Sequence, residues 1–494
     1  MHDSKQHGLS DCYQEIIDEN KYSLVICPDS SSNDYKYHCD LYNHGIDVLI
    51  LDHHLAPKIS DYAITINNQL SNYPNKELSG VGVTWQFCRY IDSILNVNYA
   101  NNFLDLVALG NCGDMMSLQS IETKHLINKG FKQVKNPFFY YMAEKNSFSL
   151  GSSLTPMGVA FYIVPFVNAM QRSGTLEEKE LLFKSMLQYK AFDIVPSTKR
   201  GCKGQTEKLV EQAVRTATNV KNRQTRAQDD GMNFLERKIE EEHLLNHKVL
   251  LFLLKPGEVD KNIAGLIANK MMAKYQRPCC ILTRTEIIRE DIILTSNPPQ
   301  PYKEIVYQGS ARGCDKTGIN NFKDICVSTG VISMAEGHQG AFGLGIPESQ
   351  INTFLEETDK LLKDMSDEPI YFVDYIYKGV DVQPQNILDI ASLNDLWGKD
   401  MDESLIAIED LKVSKDMLTL MSPDKKPTLK ITLPNKVALI KFGSSQEEYE
   451  SLLSEGYISL NIVGKCNANT WMNYTTAQIY IEDYEIIGQA KYCF

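Results

Sequence analysis

Val48-Leu49-Ile50-Leu51-Asp52-His53-His54 is the stretch on which the reading of the chain turns. Four consecutive large aliphatic residues suit a strand buried on both faces of a parallel sheet, and the run stops at three adjacent side chains able to bind a metal. Imidazole and carboxylate together suit divalent transition metals, and open α/β sheets place their sites at the carboxyl ends of parallel strands. A strand that merely ends in a polar loop would be spelled the same way, so the neighbours must decide.

Upstream, Ser23-Leu24-Val25-Ile26-Cys27 is a second apolar run, followed by Pro28-Asp29 and by a helix ending near Asn43-His44-Gly45. Strand, helix and strand in that order, with a right-handed crossover, make the two strands parallel and bring their carboxyl ends to one rim. Asp29 is therefore expected beside Asp52, His53 and His54. Downstream, the run from Phe103 to Met116 sets Asp114 in an otherwise apolar, small-residue segment. A buried carboxylate needs a partner, and a metal would explain its position.

A strand ending in Asp29, a second ending in Asp52-His53-His54, then Ala108-Leu109-Gly110 leading to Asp114-Met115-Met116, resembles the DHH phosphoesterase superfamily. Pro165-Phe166-Val167-Asn168-Ala169 through Arg172 resembles the Pro-x-x-Asn-Ala-x-x-Arg segment of RecJ-type single-strand-specific exonucleases. Gly309-Ser310-Ala311-Arg312 and Ala335-Glu336-Gly337-His338-Gln339-Gly340 resemble the two signatures of the DHH-associated domain. Each piece is short, and it is the ordered set, running from about residue 7 to the C-terminus, that is specific.

The resemblance implies a metal-dependent hydrolase of single-stranded DNA working from the 5′ end, in DNA repair or recombination. It implies that Asp29, His53 and Asp114 hold manganese or magnesium, which a mixed carboxylate and imidazole site suits. Asp52 and His54 would orient ligands or phosphate. Asn168 and Arg172, four apart on one helical face, would hold sugar or phosphate. Ser310, Arg312 and Gly337 would grip the strand, and His338 would stabilise a phosphate near the metals. The family has two glycines before that histidine, and here Glu336 replaces the first.

The family also carries an Asp-x-Asp segment on its first, central strand, and none stands here ahead of Ser23. His7-Gly8-Leu9 resembles the loop that follows that strand, and Asp3 is the only earlier carboxylate. A sheet without an interior strand would leave backbone edges unpaired, and a two-metal clamp would lack ligands on one side. Three explanations are open: a separate polypeptide supplies the strand, the true start lies upstream, or catalysis has been lost and only binding kept. The retained Asp29, His53, His54 and Asp114 favour the first two. The alternative function is a catalytically inactive single-stranded-DNA-binding scaffold.

At 494 residues the chain should form two to four domains. The reading is a parallel-sheet DHH domain over residues 1–200, a linking helix over 201–247, a second α/β DHH-associated domain over 248–365 and a C-terminal β domain over 366–494. In the last, the alternating runs Leu429 to Leu433, Val437 to Phe442 and Ile458 to Gly464 suggest a small barrel, and the resemblance suggests an OB-like one. Trp471, Tyr474, Tyr480 and Tyr484 are candidates for base stacking or for core, with Lys441 and Lys465 following the backbone.

The twelve cysteines are scattered, with no Cys-x-x-Cys pair, which indicates neither a disulfide framework nor a zinc site. There is no run apolar enough to span a bilayer and no signal-peptide pattern, so no membrane partner and a cytoplasmic location are expected. A net charge of −13 argues against a protein coated in nucleic acid but not against one that threads a strand through a local positive groove. Between Lys199 and Lys238 basic residues recur, interleaved with Glu207, Glu211, Asp229 and Asp230, which fits such a groove or a solvated helix face.

Overall fold

The structure, a computed structural model, describes residues 8–151, 153–294, 300–366, 368–424, 426–453, 456–472 and 474–490. Asp3 lies outside the described residues, as does the side chain of Trp471. By Cα proximity the chain divides into two compact units. One comprises Met1–Met170, Thr175–Ala217 and Phe372–Phe494; the other comprises Gln171–Gly174 and Thr218–Tyr371.

The first unit begins with strands β1 (Leu24–Pro28), β2 (Asp47–Asp52) and β3 (Ile64–Asn67), which pair in parallel in the order β1-β2-β3. The register sets Pro28 opposite Leu51, and Asp52 opposite Asn67, so the strand ends share one rim. The helix Tyr35–Asn43 makes the crossover from β1 to β2. Val48 and Ile50 join Leu9, Cys27, Leu41 and Ile46 in one core, while Leu49 and Leu51 are buried as well. Both faces of β2 are thus covered, as its unbroken aliphatic run predicts. The helix Gly80–Leu95 packs against all three strands, and Leu104–Gly113 follows it with Asp114 as its C-cap residue.

A short hairpin, β4 (Ile194–Pro196) with β5 (Thr206–Lys208), precedes the 33-residue helix Leu209–Glu241. That helix begins in the first unit and ends in the second. Val210, Ala213, Val214 and Ala217 are buried along its first turns, the narrow stripe expected of a polar linking helix.

The second unit holds β6 (Leu250–Leu254), β7 (Cys279–Leu294), β8 (Gln300–Arg312), β9 (Met334–His338) and β10 (Ala341–Pro347), in the order β6-β7-β8-β10-β9. β6 and β7 are parallel and the other pairs antiparallel. Ile267 and Met271 of the helix Ala264–Tyr275 pack on one face, and Phe354 of Ile351–Leu361 on the other.

The first unit ends in seven strands: β11 (Tyr375–Lys378), β12 (Leu405–Ser414), β13 (Leu418–Met421), β14 (Thr428–Thr432), β15 (Ala438–Phe442), β16 (Tyr457–Trp471) and β17 (Tyr474–Ala490). Their order is β11-β12-β16-β17-β15-β14-β13, and among the described residues the edge strands β11 and β13 do not pair. The expected β-rich region is present, but its pairing does not close into an OB-like barrel. Alternation reports which face is buried and carries no information about closure, which depends on register and strand tilt. This sheet is tied to the N-terminal region within the same unit: Leu118 N donates to Lys399 O at 2.9 Å and Gln119 Nε2 to Asp400 O at 3.0 Å. No described helix is long and apolar enough to cross a membrane.

Candidate metal centre

Asp29 follows β1 and, with Ser31, has a positive φ (58° and 76°), backbone that non-glycine residues adopt at a cost. The turn is held by Asp29 N donating to Leu51 O at 2.9 Å. It aims the Asp29 carboxylate at the end of β2, where His53 Nε2 lies 3.3 Å from Asp29 Oδ1 and 3.0 Å from Asp114 Oδ2. That nitrogen is buried and is aligned for a hydrogen bond with neither oxygen. His53 Nε2 is thus the shared neighbour of two carboxylates from two other segments, a donor set of the kind a hard or borderline divalent cation takes. Asp29, Asp52, His53 and His54 each offer a ligand atom within 4.8 Å of the others.

Asp52 braces this group. It is fully buried, with Oδ1 accepting from His53 N at 2.8 Å and lying 2.7 Å from His54 Nδ1, while Oδ2 accepts from Ser32 N at 3.2 Å. Burial pushes the Asp52 carboxyl up, but the bonds from His54 and Ser32 outweigh it and hold it well below the usual carboxylate range. Ionised Asp52 requires the proton on His54 Nδ1 and raises the His54 pKa. At His53 burial opposes the charged form, yet the Asp114 and Asp29 carboxylates together lift its pKa to about 10.

Sequence reasoning passed over several supporting residues. Asn67 donates through Nδ2 to Ser32 Oγ and to His54 O, both at 2.9 Å, bracing both loops. Its position opposite Asp52 is readable only once β3 is known. Asn111 Oδ1 accepts from Ser79 N at 3.0 Å and Ser79 Oγ at 2.8 Å, fixing the entry of the helix Gly80–Leu95. Gly80 has no room for a side chain, because a Cβ there would collide with the Asp29 carboxylate.

A cleft of about 410 Å³ opens beside the centre, lined among others by Asp29, Asp114, Val164, Asn168 and Met186. Asn168 thus reaches the same space as the candidate ligands. Arg172, on the same helix Val164–Ser173, belongs to the second unit, where its charge acts on Arg312. Burial first, and then Arg172, lower the Arg312 pKa. Ser310 and Arg312 stand on β8 against the start of the helix Ala264–Tyr275, where a Cβ at Gly265 would lie 2.5 Å from Arg312 Nη2 and 3.3 Å from Ser310 Oγ. Gly337 (φ 126°) and His338 end β9 and are exposed, with Lys323 Nζ donating to Gly337 O at 2.9 Å. Glu336 is exposed and makes no ion pair with Arg312 among the described residues. In the C-terminal sheet Lys441 pairs with Glu448 at 2.9 Å, and Lys465 with Glu482 at 3.3 Å and Glu403 at 3.7 Å. Tyr484 donates to Glu448 at 2.8 Å, Tyr480 packs on Phe442, and Tyr474 is exposed.

Residues 4–111 match the DHH family, N-terminal domain. The SPbeta prophage-derived protein YorK of Bacillus subtilis (strain 168), named as a single-strand DNA-specific exonuclease, is 33% identical over 493 residues, covering 99% of this chain and 81% of its own length. The chain belongs to the RecJ-type DHH exonuclease family. The single-stranded-DNA-specific exonuclease RecJ of Haemophilus influenzae is 31% identical over 124 residues, 23% of this RecJ-type chain and 22% of that protein. Among solved structures, RecJ of Thermus thermophilus in complex with Mn2+ superposes with a TM-score of 0.68 at 15% identity, covering 97% of this chain and 64% of that one. The same protein in complex with Mg2+ gives 0.62 at 15% identity, with 97% and 70% covered. This RecJ-type chain therefore spans a little under two thirds of the length of the manganese-bound Thermus structure.

Proposed function

We propose that the chain is a metal-dependent exonuclease that hydrolyses phosphodiester bonds of single-stranded DNA from the 5′ end, in repair or recombination. The observation that carries the reading is His53 Nε2 lying 3.3 Å from Asp29 Oδ1 and 3.0 Å from Asp114 Oδ2. The names of its relatives support a single-stranded substrate, and the donor set suits manganese or magnesium. Asp29, His53 and Asp114 would hold the cation, which supplies Lewis-acid polarisation of a phosphate oxygen when bound. Asp52 positions both histidines. His54, with Nδ1 committed to Asp52 and half its side chain exposed, presents Nε2 to a phosphate oxygen or to a leaving group in need of a proton. Asn168 orients sugar or backbone in the cleft, while Arg172, Ser310, Arg312, Gly337 and His338 grip the strand.

The free side of β1 supports a further part of the reading. Among the described residues β1 pairs only with β2, and Leu24 and Ile26 are half-exposed on it. An apolar strand with an open edge accepts another strand. Such a strand, carrying an Asp-x-Asp segment and supplied by a separate polypeptide, would add carboxylates beside Asp29. A synthetic peptide of that kind should raise the melting temperature and the nuclease activity, and no gain in either removes this addition.

The central reading is tested with oligonucleotides labelled at the 5′ or 3′ end, single-stranded or in duplex, across a manganese and magnesium titration. Labelled mononucleotide released first from the 5′-labelled single strand is the expected result, with Asp114→Asn lowering kcat/KM about a hundredfold or more. Binding without products at every metal concentration would instead establish a catalytically silent scaffold.

A further inference from the structure

Met186, which lines the cleft beside the candidate metal centre, is the last residue of the helix Leu176–Met186. The chain then runs through Tyr189 and Phe192 into the β4–β5 hairpin. Tyr189 comes three residues after Met186 and so lies at most about 11 Å along the chain from the cleft wall. Tyr189, Phe192 and Ile194 are 75%, 52% and 65% exposed, three large apolar side chains left in water within six residues. Single exposed apolar residues are ordinary, whereas a run of them beside a cleft marks a contact surface.

The hairpin itself is pinned at its base and cationic at its tip. Glu207, with a side chain only 3% exposed, is gripped by both guanidinium nitrogens of Arg215, accepts from Thr198 N at 3.1 Å and lies 3.7 Å from Lys199 Nζ. Gln212 Nε2 ties the other arm by donating to Pro196 O at 3.0 Å. At the tip, Gly201 and Gly204 adopt positive φ with open space around them, and Arg200 and Lys203 project into solvent. The two carboxylates between Lys190 and Lys208 are already engaged, Asp193 by Lys190 at 3.4 Å and Glu207 by Arg215. Arg200 and Lys203 make no ion pair among the described residues, so the tip is locally positive in a chain of net charge −13.

We propose that this hairpin and the aromatic segment feeding it form a docking track for single-stranded nucleic acid, Tyr189 and Phe192 stacking on bases, Arg200 and Lys203 binding phosphates. Exposed rings followed by unpaired cations suit sequence-tolerant binding of a strand, because every base has a π-face and every nucleotide a phosphate. The proposal rests on the nuclease reading above and adds a stretch of substrate contact outside the metal centre.

The test measures binding of a fluorescein-labelled oligothymidylate of about 20 nucleotides to the full chain in EDTA, by anisotropy between about 50 and 200 mM salt. KM for the same strand with manganese is measured alongside. Arg200→Ala/Lys203→Ala should weaken binding about fivefold or more at low salt and reduce the slope of log K against log salt by about 1.4, two phosphates at about 0.7 each. Arg200→Lys/Lys203→Arg should restore the slope. Tyr189→Ala/Phe192→Ala should weaken binding about fivefold or more with the slope unchanged. A wild-type chain that cleaves while both alanine pairs keep its affinity, slope and KM overturns the track alone. A wild-type chain that neither binds nor cleaves the strand overturns the track together with the nuclease reading.

Discussion

Gly80 stands directly against the carboxylate of Asp29, at the first residue of the helix behind the metal centre. The contact brings the helix N-terminus, with its partial positive charge, close to a candidate ligand that sits on a left-handed backbone position. Gly80→Ala would gain helix propensity, less than the roughly 1 kcal/mol of an interior position because Gly80 opens the helix, but would push the carboxylate aside. We expect manganese affinity to fall about tenfold to a hundredfold, with the melting temperature of the metal-free protein moving by only a few degrees. Calorimetric titration checks this, and unchanged affinity would remove Asp29 from the ligand set.

On the proposed ligand set, a proton and the cation would compete for His53. Its pKa near 10 in the folded, metal-free protein lies above the ordinary value of about 6.5. A group raised by folding contributes stability fully below its unfolded pKa and loses it as pH climbs through the folded one. Metal-free protein should therefore lose urea resistance between about pH 6.5 and pH 10, and Asp114→Asn should flatten that loss. Manganese binding near pH 8 should release about one proton per site, read from calorimetry in buffers of different ionisation heat.

Asp52 acts through its neighbours, so its replacement should carry a spectroscopic mark. Asp52→Asn keeps the shape but removes the charge that fixes the His54 tautomer and raises its pKa. Metal affinity should drop about tenfold to a hundredfold, and the His54 pKa, followed by NMR, should fall toward about 6.5. A His54 pKa that stays raised in the variant would assign its shift to some other group.

Arg215 neutralises the buried Glu207 at the base of the hairpin, and its guanidinium holds that carboxyl down to about 2. Arg215→Ala would leave the buried Glu207 charge with only the more distant Lys199 and its Thr198 and Gln212 bonds, at a cost of about 2–3 kcal/mol in urea denaturation. The sign in acid is the reverse of that at His53. The Glu207 contribution is present above about pH 4.5 and is lost as pH falls toward about 2, so the variant should show a weaker dependence over that window.

Much of the candidate site is local in origin, and its placement at one strand rim is for that reason legible in the chain. An unbroken aliphatic run specifies a doubly covered strand, and the strand–helix–strand order of Leu24 to Asp52 specifies parallel pairing, which brings Asp29 to the rim of β2. Asp114 is recognisable as a carboxylate among small apolar residues, but the burial expected for it is not found: it caps the helix end with its side chain about half-exposed. These inferences need only periodicity and chain order, which a one-dimensional pattern records.

What pattern does not record is register, closure and close approach, because these are set by residues far apart in the chain once the whole has packed. Only the fold shows that Asn67 braces Ser32 and His54, that Gly80 is required by Asp29, and that buried Asp52 is bound to His54 and Ser32. The seven-stranded sheet shares its compact unit with the N-terminal region and does not close on itself among the described strands. Alternating residues declare a buried face, and which strands meet across it is settled by tertiary packing alone.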